Sequence, residues 1–204
     1  MIGKMILPFV LRDATISENA ELESSVALMD EEEFRAFYER TSRPLWAYLS
    51  RISGSRHEAD DVLQEAYYRF YRAGAKHESE SHRRNSLFQI ATNIVRDASR
   101  RAKHHDDVPL EEESSTGFAL KSQAPVPERQ AEIRTDLARG FEKLEPLQRE
   151  MLWLAYGQGA SHEEIAEILG MRAVSIRTTL LRARRKLAGI LTEGRRDAAQ
   201  ETRA

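Results

Sequence analysis

The chain has 204 residues, enough for one or two domains with a real core, and its formal net charge is −2 at pH 7. It holds no cysteine, which excludes disulfides, thiolate metal sites and cysteine nucleophiles and suits a reducing, cytoplasmic setting. Charged residues make up 31% and aromatic residues 7%, as in soluble helix-rich proteins, and the near-neutral balance means that any nucleic-acid binding must rest on local basic patches.

Residues 1–17 hold one apolar run, Met5 to Leu11, interrupted by Pro8. The run is far too short to span a bilayer, and no small-residue cleavage pattern follows it, so this is read as a loose N-terminal tail without membrane insertion. Glu18 to Met29 is a weak helical pattern rich in Glu and Ala. Asp30 with Glu33 resembles a capping pair for a longer helix, in which Phe34, Phe37, Tyr38, Leu45, Tyr48, Leu49 and Ile52 recur at spacings of three and four as a core stripe. Pro44 is a candidate kink, and Gly54 ends the segment.

The next helix runs from about Arg56 to Ala73. Ala59, Val62, Leu63, Ala66 and Phe70 share a face and should be buried. Asp61, Gln64, Glu65, Tyr68, Tyr71 and Arg72 stand opposite. Two tyrosines among acidic and amide groups fit either a protein-binding surface or a plain solvated face. Gly74 to Arg84 reads as a polar connector without an apolar anchor. Asn85 or Ser86 then caps a helix reaching about Arg101, with Leu87, Ile90, Ala91, Ile94, Val95 and Ala98 inside. Its outer face is Gln89, Thr92, Asn93, Arg96, Arg100 and Lys103, with Arg83 and Arg84 before the helix and Arg101 near its end. Such a stripe suits phosphates and base edges, although solvated helix surfaces look similar.

From His104 to Glu128 the chain turns acidic and proline-bearing and loses periodicity, which reads as a linker. Helical pattern resumes near Glu132, with Ile133, Leu137, Phe141 and Leu144 on one face. Pro146 opens a further helix holding Leu147, Met151, Leu152, Leu154 and Ala155, broken by Gly157 and Gly159. Ser161 and Glu164 then form a capping pair for a short helix with Ile165, Ala166, Ile168 and Leu169 as its apolar face, and Gly170 supplies a turn. A second helix begins near Arg172. Ile176, Leu180, Ala183 and Leu187 fall on one side, while Val174, Thr178, Leu181, Arg182 and Arg185 fall opposite, flanked by Ser175 and Arg177. Between Gly170 and Leu187 lie six basic residues and no acidic one. This is a helix-turn-helix whose second helix suits a DNA major groove; a solvated basic αα-hairpin is the plainer alternative. Residues 192–204 are expected to fray. The expected fold class is all-α: helical units at 18–103 and 129–191, a linker at 104–128, and tails at 1–17 and 192–204.

Sites for chemistry are not apparent. His104 and His105 adjoin Asp106 and Asp107, but neighbouring side chains point apart, and the other histidines lack ligand spacing on a common face. Glycines do not form a phosphate loop, and Asp60 and Asp61 are adjacent rather than paired across a cleft. Catalytic residues, metals and cofactors are therefore not expected, and neither is enzymatic activity.

Taken in order, from about Met29 to Leu191, these segments resemble the RNA polymerase sigma factors of the sigma-70 family, in the compact extracytoplasmic-function (ECF) group. The resemblance implies a region 2 and a region 4 joined by a linker, with core RNA polymerase and promoter DNA as partners. DDVLQEAYYRFYRA looks like the region 2 segment that binds the clamp coiled coil of the polymerase β′ subunit, which implies Asp61, Gln64, Glu65 and Tyr68 as core-polymerase contacts. LFQIATNIVRDASRR looks like the helix that melts and reads the −10 element, implying Arg83, Arg84, Asn93, Arg96, Arg100 and Arg101 at the DNA. LEPLQREMLWLAYGQGASHEEIAEILG with the Arg-rich helix looks like region 4, which reads the −35 element and meets the β flap. That implies Arg172, Ser175, Arg177, Thr178, Arg182 and Arg185 as contacts. A cognate anti-sigma factor is also expected by resemblance alone.

The chain departs from the family in places. Ser86 stands where a tryptophan is common, and the connector lacks an aromatic residue. Val174 replaces a frequent glycine and Thr179 an expected arginine. Ser86 and the non-aromatic connector keep open a rival to a promoter-specificity subunit, a sigma-like DNA-binding regulator that does not enter the polymerase, and an adaptor that binds anti-sigma factors is a third reading.

Overall fold

The computed structural model describes residues 29–74, 79–104 and 128–201. The N-terminal tail, the weak helical pattern before Met29, the middle of the connector after Gly74 and nearly all of the linker lie outside them. Among the described residues there is no strand. The chain divides into two compact units, the first built chiefly on three helices before the linker and the second chiefly on the helices from Glu128 onward.

In the first unit α1 spans Glu31–Ile52. The Asp30 side chain accepts from the Glu33 amide at 2.8 Å, as the capping pair anticipated. Pro44 sits inside this helix without ending it. Helix α2, Arg56–Ala73, opens on a reciprocal capping box between Ser55 and Glu58 and closes at Gly74, whose φ of 55° favours glycine. Helix α3 runs from Glu80 to His104 and so starts earlier than the apolar periodicity suggests. Ser79 begins it: its Oγ accepts from the His82 amide at 3.1 Å and its carbonyl from the Arg83 amide at 3.0 Å. Asn85 is accordingly a buried helical residue rather than a cap.

Each of these helices packs on the other two. Their shared core is aromatic: Phe37 stacks on Phe70 with ring centroids 5.1 Å apart, and Tyr67 meets Tyr38 at 4.8 Å. Two buried hydroxyl pairs tie it together. Thr41 Oγ1 donates to the Phe37 carbonyl, so the Tyr67 hydroxyl, 2.6 Å away, is the donor to Thr41. Thr92 Oγ1 likewise donates to the Phe88 carbonyl, which leaves the Tyr48 hydroxyl, 2.9 Å away, donating to Thr92. Burial pushes the Tyr67 phenol well above its ordinary pKa.

In the second unit α4 spans Glu128–Glu142, and Ala138, Phe141 and the following Leu144 are buried. Ile133 and Leu137, expected in the core, are instead 47% and 36% exposed; the apolar face is covered only from Ala138 onward. Gly140 lets this end of α4 approach the last long helix closely, since a Cβ there would lie 3.0 Å from Leu187 and 3.2 Å from Leu191. Helix α5, Pro146–Leu152, starts at the proline and passes directly into a π-helical turn, Trp153–Gly157. A Cβ on Gly157 would stand 2.8 Å from the Trp153 ring, so glycine is what lets the indole fold back over this turn.

Helix α6, His162–Leu169, is short, and α7, Ala173–Glu201, is long. Helix α7 packs chiefly on α5 and α4. It does not end near Leu191 but continues to Glu201, because its later residues include no proline and a lone interior Gly194 costs only about 1 kcal/mol.

The two tryptophans report on separate units, Trp46 on the first and Trp153 on the second. In a Trp153→Phe background, Thr92→Val should lower the denaturant stability read by Trp46 by about 1–3 kcal/mol, since the buried Tyr48 hydroxyl loses its acceptor. In a Trp46→Phe background, Gly157→Ala should lower the stability read by Trp153 by a similar amount, about 1–3 kcal/mol, through overpacking against the indole. An unchanged midpoint in either experiment would show that the contact in question does not hold its unit together.

Candidate nucleic-acid and partner interfaces

On α2, burial of Ala59, Val62, Leu63, Ala66, Tyr67 and Phe70 turns the opposite stripe to solvent. Asp61 and Gln64 are exposed, and Glu65 and Tyr68 are half-exposed. Its charged groups are engaged along the helix: His57 Nδ1 lies 3.0 Å from Asp61 Oδ2, Arg69 Nε donates to Glu65 Oε1 at 2.6 Å, and Arg72 Nη1 donates to the Tyr68 hydroxyl at 3.0 Å. Tyr71, expected on this face, instead lies edge-on against Phe34 at 5.3 Å and closes the rim of the core.

Helix α3 separates the candidate −10 residues. At roughly 100° per residue, Asn93, Arg96 and Arg100 share one side, with Arg101 on its flank. Asn93, Arg100 and Arg101 are exposed and Arg96 is half-exposed. Asp97 lies in the middle of this basic stripe. Its carboxylate accepts from Arg100 Nη2 at 2.6 Å, and its carbonyl accepts from Arg101 Nε at 3.3 Å. That acid was readable in the sequence, three residues before Arg100 and four before Arg101. Arg83 and Arg84 belong to the first turns of the helix rather than preceding it. Arg84 turns toward the core side, its guanidinium 4.8 Å from the centroid of the buried Phe88 ring. Thr92, expected outside, is fully buried through its bond with Tyr48.

In the second unit the helix-turn-helix forms as its signals indicate. The Glu164 amide donates to Ser161 Oγ at 3.2 Å, and the Ser161 amide to Glu164 Oε2 at 2.7 Å. At the other end Gly170 has φ 64°, its amide donates to the Glu167 carbonyl at 3.3 Å, and the Met171 amide donates to the Ala166 carbonyl at 2.9 Å. Those two bonds make a Schellman motif, which stops α6 and starts α7 three residues later.

On α7, Ile176, Leu180 and Ala183 are buried and Leu187 half-buried. Arg172, Arg177, Thr178, Arg182 and Arg185 are exposed or partly exposed, and Ser175 is half-exposed. Val174, at 74% exposure, and Leu181, at 44%, complete the outward stripe. Two of the six basic groups lie on its flanks: Arg184 sits 5.9 Å from the ring centroid of Tyr156, and Lys186 Nζ is 3.9 Å from Glu145 Oε1. The Tyr156–Arg184 contact had no sequence signal, because it depends on the path of the π-helical turn.

Among the described residues, no group of three or more His, Asp or Glu side chains is placed to hold a metal ion, and no helix is long and apolar enough to cross a membrane. A second helix that is basic and free of acids as far as Leu187, set behind a Schellman turn, has the form of a DNA-reading helix-turn-helix.

Comparison with known proteins agrees. The family model for Sigma-70 region 2 matches residues 37–105 and that for Sigma-70, region 4 matches residues 134–187, together over half of the chain. The chain is 29% identical over 175 residues to the ECF RNA polymerase sigma factor SigM of Mycobacterium tuberculosis, covering 85% of this chain and 84% of that protein. To the ECF RNA polymerase sigma factor SigM of Bacillus subtilis it is 26% identical over 160 residues, covering 78% of this chain and 96% of the relative. Its fold is similar to that of the sigma factor RpoE from Bartonella quintana, solved in complex with the anti-sigma factor NepR. The TM-score is 0.59 at 21% identity, over 79% of this chain and 98% of that one. The chain belongs to the sigma-70 family of RNA polymerase sigma factors, in its ECF group, and is a transcription initiation factor that works with core RNA polymerase and promoter DNA. Sigma factors as a family are regulatory proteins rather than enzymes.

Proposed function

We propose that the surfaces of this sigma factor divide its work as follows. Asp61, Gln64, Glu65 and Tyr68 on α2 bind the clamp coiled coil of the polymerase β′ subunit. Asn93, Arg96, Arg100 and Arg101 on α3, with Arg83 and Arg84 at its start, act at the −10 element. Arg172, Ser175, Arg177, Thr178, Arg182 and Arg185 on α7 and the turn before it read the −35 element, and the second unit also meets the β flap. The chain works in the cytoplasm, carries out no catalysis of its own, and is held by a cognate anti-sigma factor. The similar RpoE fold, solved with NepR bound, supports the last point.

The observation that carries this reading is the outward stripe of α7: exposed, acid-free from Gly170 to Leu187, and inside the region 4 match. Arginine fits such a role because it can serve as a phosphate clamp or as a bidentate partner of guanine.

The decisive experiment reconstitutes transcription from core polymerase of the same organism, the full chain and genomic fragments. Initiation at defined start sites is expected, and absence of any sigma-dependent start would refute the reading. Changing Gln64 and Glu65 to Ala should weaken core-polymerase affinity in a direct binding assay. Arg177→Ala should cost about 1–3 kcal/mol in promoter binding if it contacts a base edge, with core affinity unchanged. If Arg177→Ala also abolished core binding, the division of labour between α2 and α7 would be wrong.

A further inference from the structure

The outward face of α7 also carries apolar groups. Val174, the second residue of the helix, is 74% exposed, more than the exposed Leu181, Ile133, Leu137 or Tyr156. At helical spacing it heads a stripe that continues through Thr178 and the 44% exposed Leu181. Arg177, Arg182 and Arg185 stand beside or beyond that stripe, and no acid follows it in sequence until Glu193. This charge pattern specifies a polyanion as the occupant of the face. The recognition helix of a helix-turn-helix meets base edges with its N-terminal residues, where Val174 and Thr178 lie. In a DNA major groove the one apolar group on any base edge is the C5-methyl of thymine.

We propose that Val174, with the γ-methyl of Thr178, reads thymine methyl groups, so that the −35 element chosen by this chain carries thymine opposite the first turns of α7. The inference rests on the reading of α7 as the −35 helix and adds a chemical class of base to it. Valine has no side-chain donor or acceptor, so a G·C pair pressed against it would leave base-edge polar atoms without partners. Thymine would bury its methyl there instead. The two side chains are four residues apart, about 6 Å along the helix, close to two base-pair steps of about 3.4 Å. Paired thymine methyls about two steps apart therefore match the stripe.

The test uses the full chain bound to core polymerase. Duplexes are selected from a library randomised across the upstream promoter element, and each thymine of the selected site is replaced in turn by deoxyuridine, which removes only the methyl. At least one replacement should weaken competition binding about fourfold, the value of one buried methyl-sized group. Val174→Ala should bind the selected duplex more weakly and lose its sensitivity to that replacement. Val174→Thr, which keeps the branched shape and one methyl, should retain part of it. Arg177→Ala should bind more weakly but respond to deoxyuridine as the unaltered chain does. The inference is overturned if no replacement matters, or if Val174→Ala and the unaltered chain respond equally. If no duplex is selected although core polymerase is bound, the −35 reading itself fails, and the thymine inference falls with it.

Discussion

Ile176, Leu180 and Ala183 are buried at successive turns of α7, and that one stripe decides everything the helix shows to its surroundings. A helix has no other means of aiming its side chains: once one face is packed, the opposite face points outward. Gly140 lets α4 close onto Leu187 and Leu191, which extends the packed stripe to the far part of the helix. The phase at the near end comes from the turn. The capping box at Ser161 starts α6, and the left-handed Gly170 stops it, so α7 begins at Ala173. Moving that start by one residue would rotate every side chain by roughly 100° relative to the packed face and turn a different set outward.

The first unit obeys the same constraint but adds polar locks. Thr92–Tyr48 and Thr41–Tyr67 join helices through buried hydroxyl pairs in which each donor and acceptor is assigned. Breaking one leaves an uncompensated polar group, so these contacts specify how α1, α2 and α3 meet. The pairs on the outer face of α2 are of another kind. Glu65 with Arg69 is an exposed pair one turn apart, typically worth about 0.3–0.5 kcal/mol, so a binding partner can replace it at little cost. Core and surface of the same helix thus differ in how firmly their polar contacts are held.

That difference also explains what could be read from residues alone. The apolar faces of α1, α2 and α7, the caps at Asp30 and Ser161, and the turn at Gly170 follow from local spacing, and all appear in the fold. The departures come from partners that are distant in sequence. Thr92 and Tyr67 have polar tips and carry no core signal, yet each is buried because a hydroxyl on another helix accepts or supplies a proton. Tyr71 sits at the edge of its face and is drawn inward by Phe34. Ile133 and Leu137 show the converse, for they keep helical spacing where their helix lacks cover. The early start of α3 has little local signal because Glu80 to Arg84 holds no apolar residue, leaving Ser79 as the sole sign. The π-helical turn has no sequence signature beyond the glycine that admits the Trp153 ring. Among the candidate contacts, the outward face of α7 was legible, whereas the inward turn of Arg84 depended on Phe88.

A chain with a net charge of −2 cannot rely on its overall field to find DNA, so its positive charge has to be local. The two candidate DNA helices concentrate it differently. In α7 the basic groups stand without an acid for a run of turns, while in α3 Asp97 takes up Arg100 directly and lowers the local field. Phosphate attraction is long-ranged, screened by salt and indifferent to sequence, whereas contact with a base edge is short-ranged and specific. On the proposed reading, α7 carries both kinds on one face: arginines that hold the duplex, and between them the methyl-bearing side chains that distinguish one base pair from another. The arginines alone would bind any duplex, and Val174 and Thr178 alone would bind none with useful strength. On that reading, specificity comes from their sharing one stripe, which the burial of Ile176, Leu180 and Ala183 enforces.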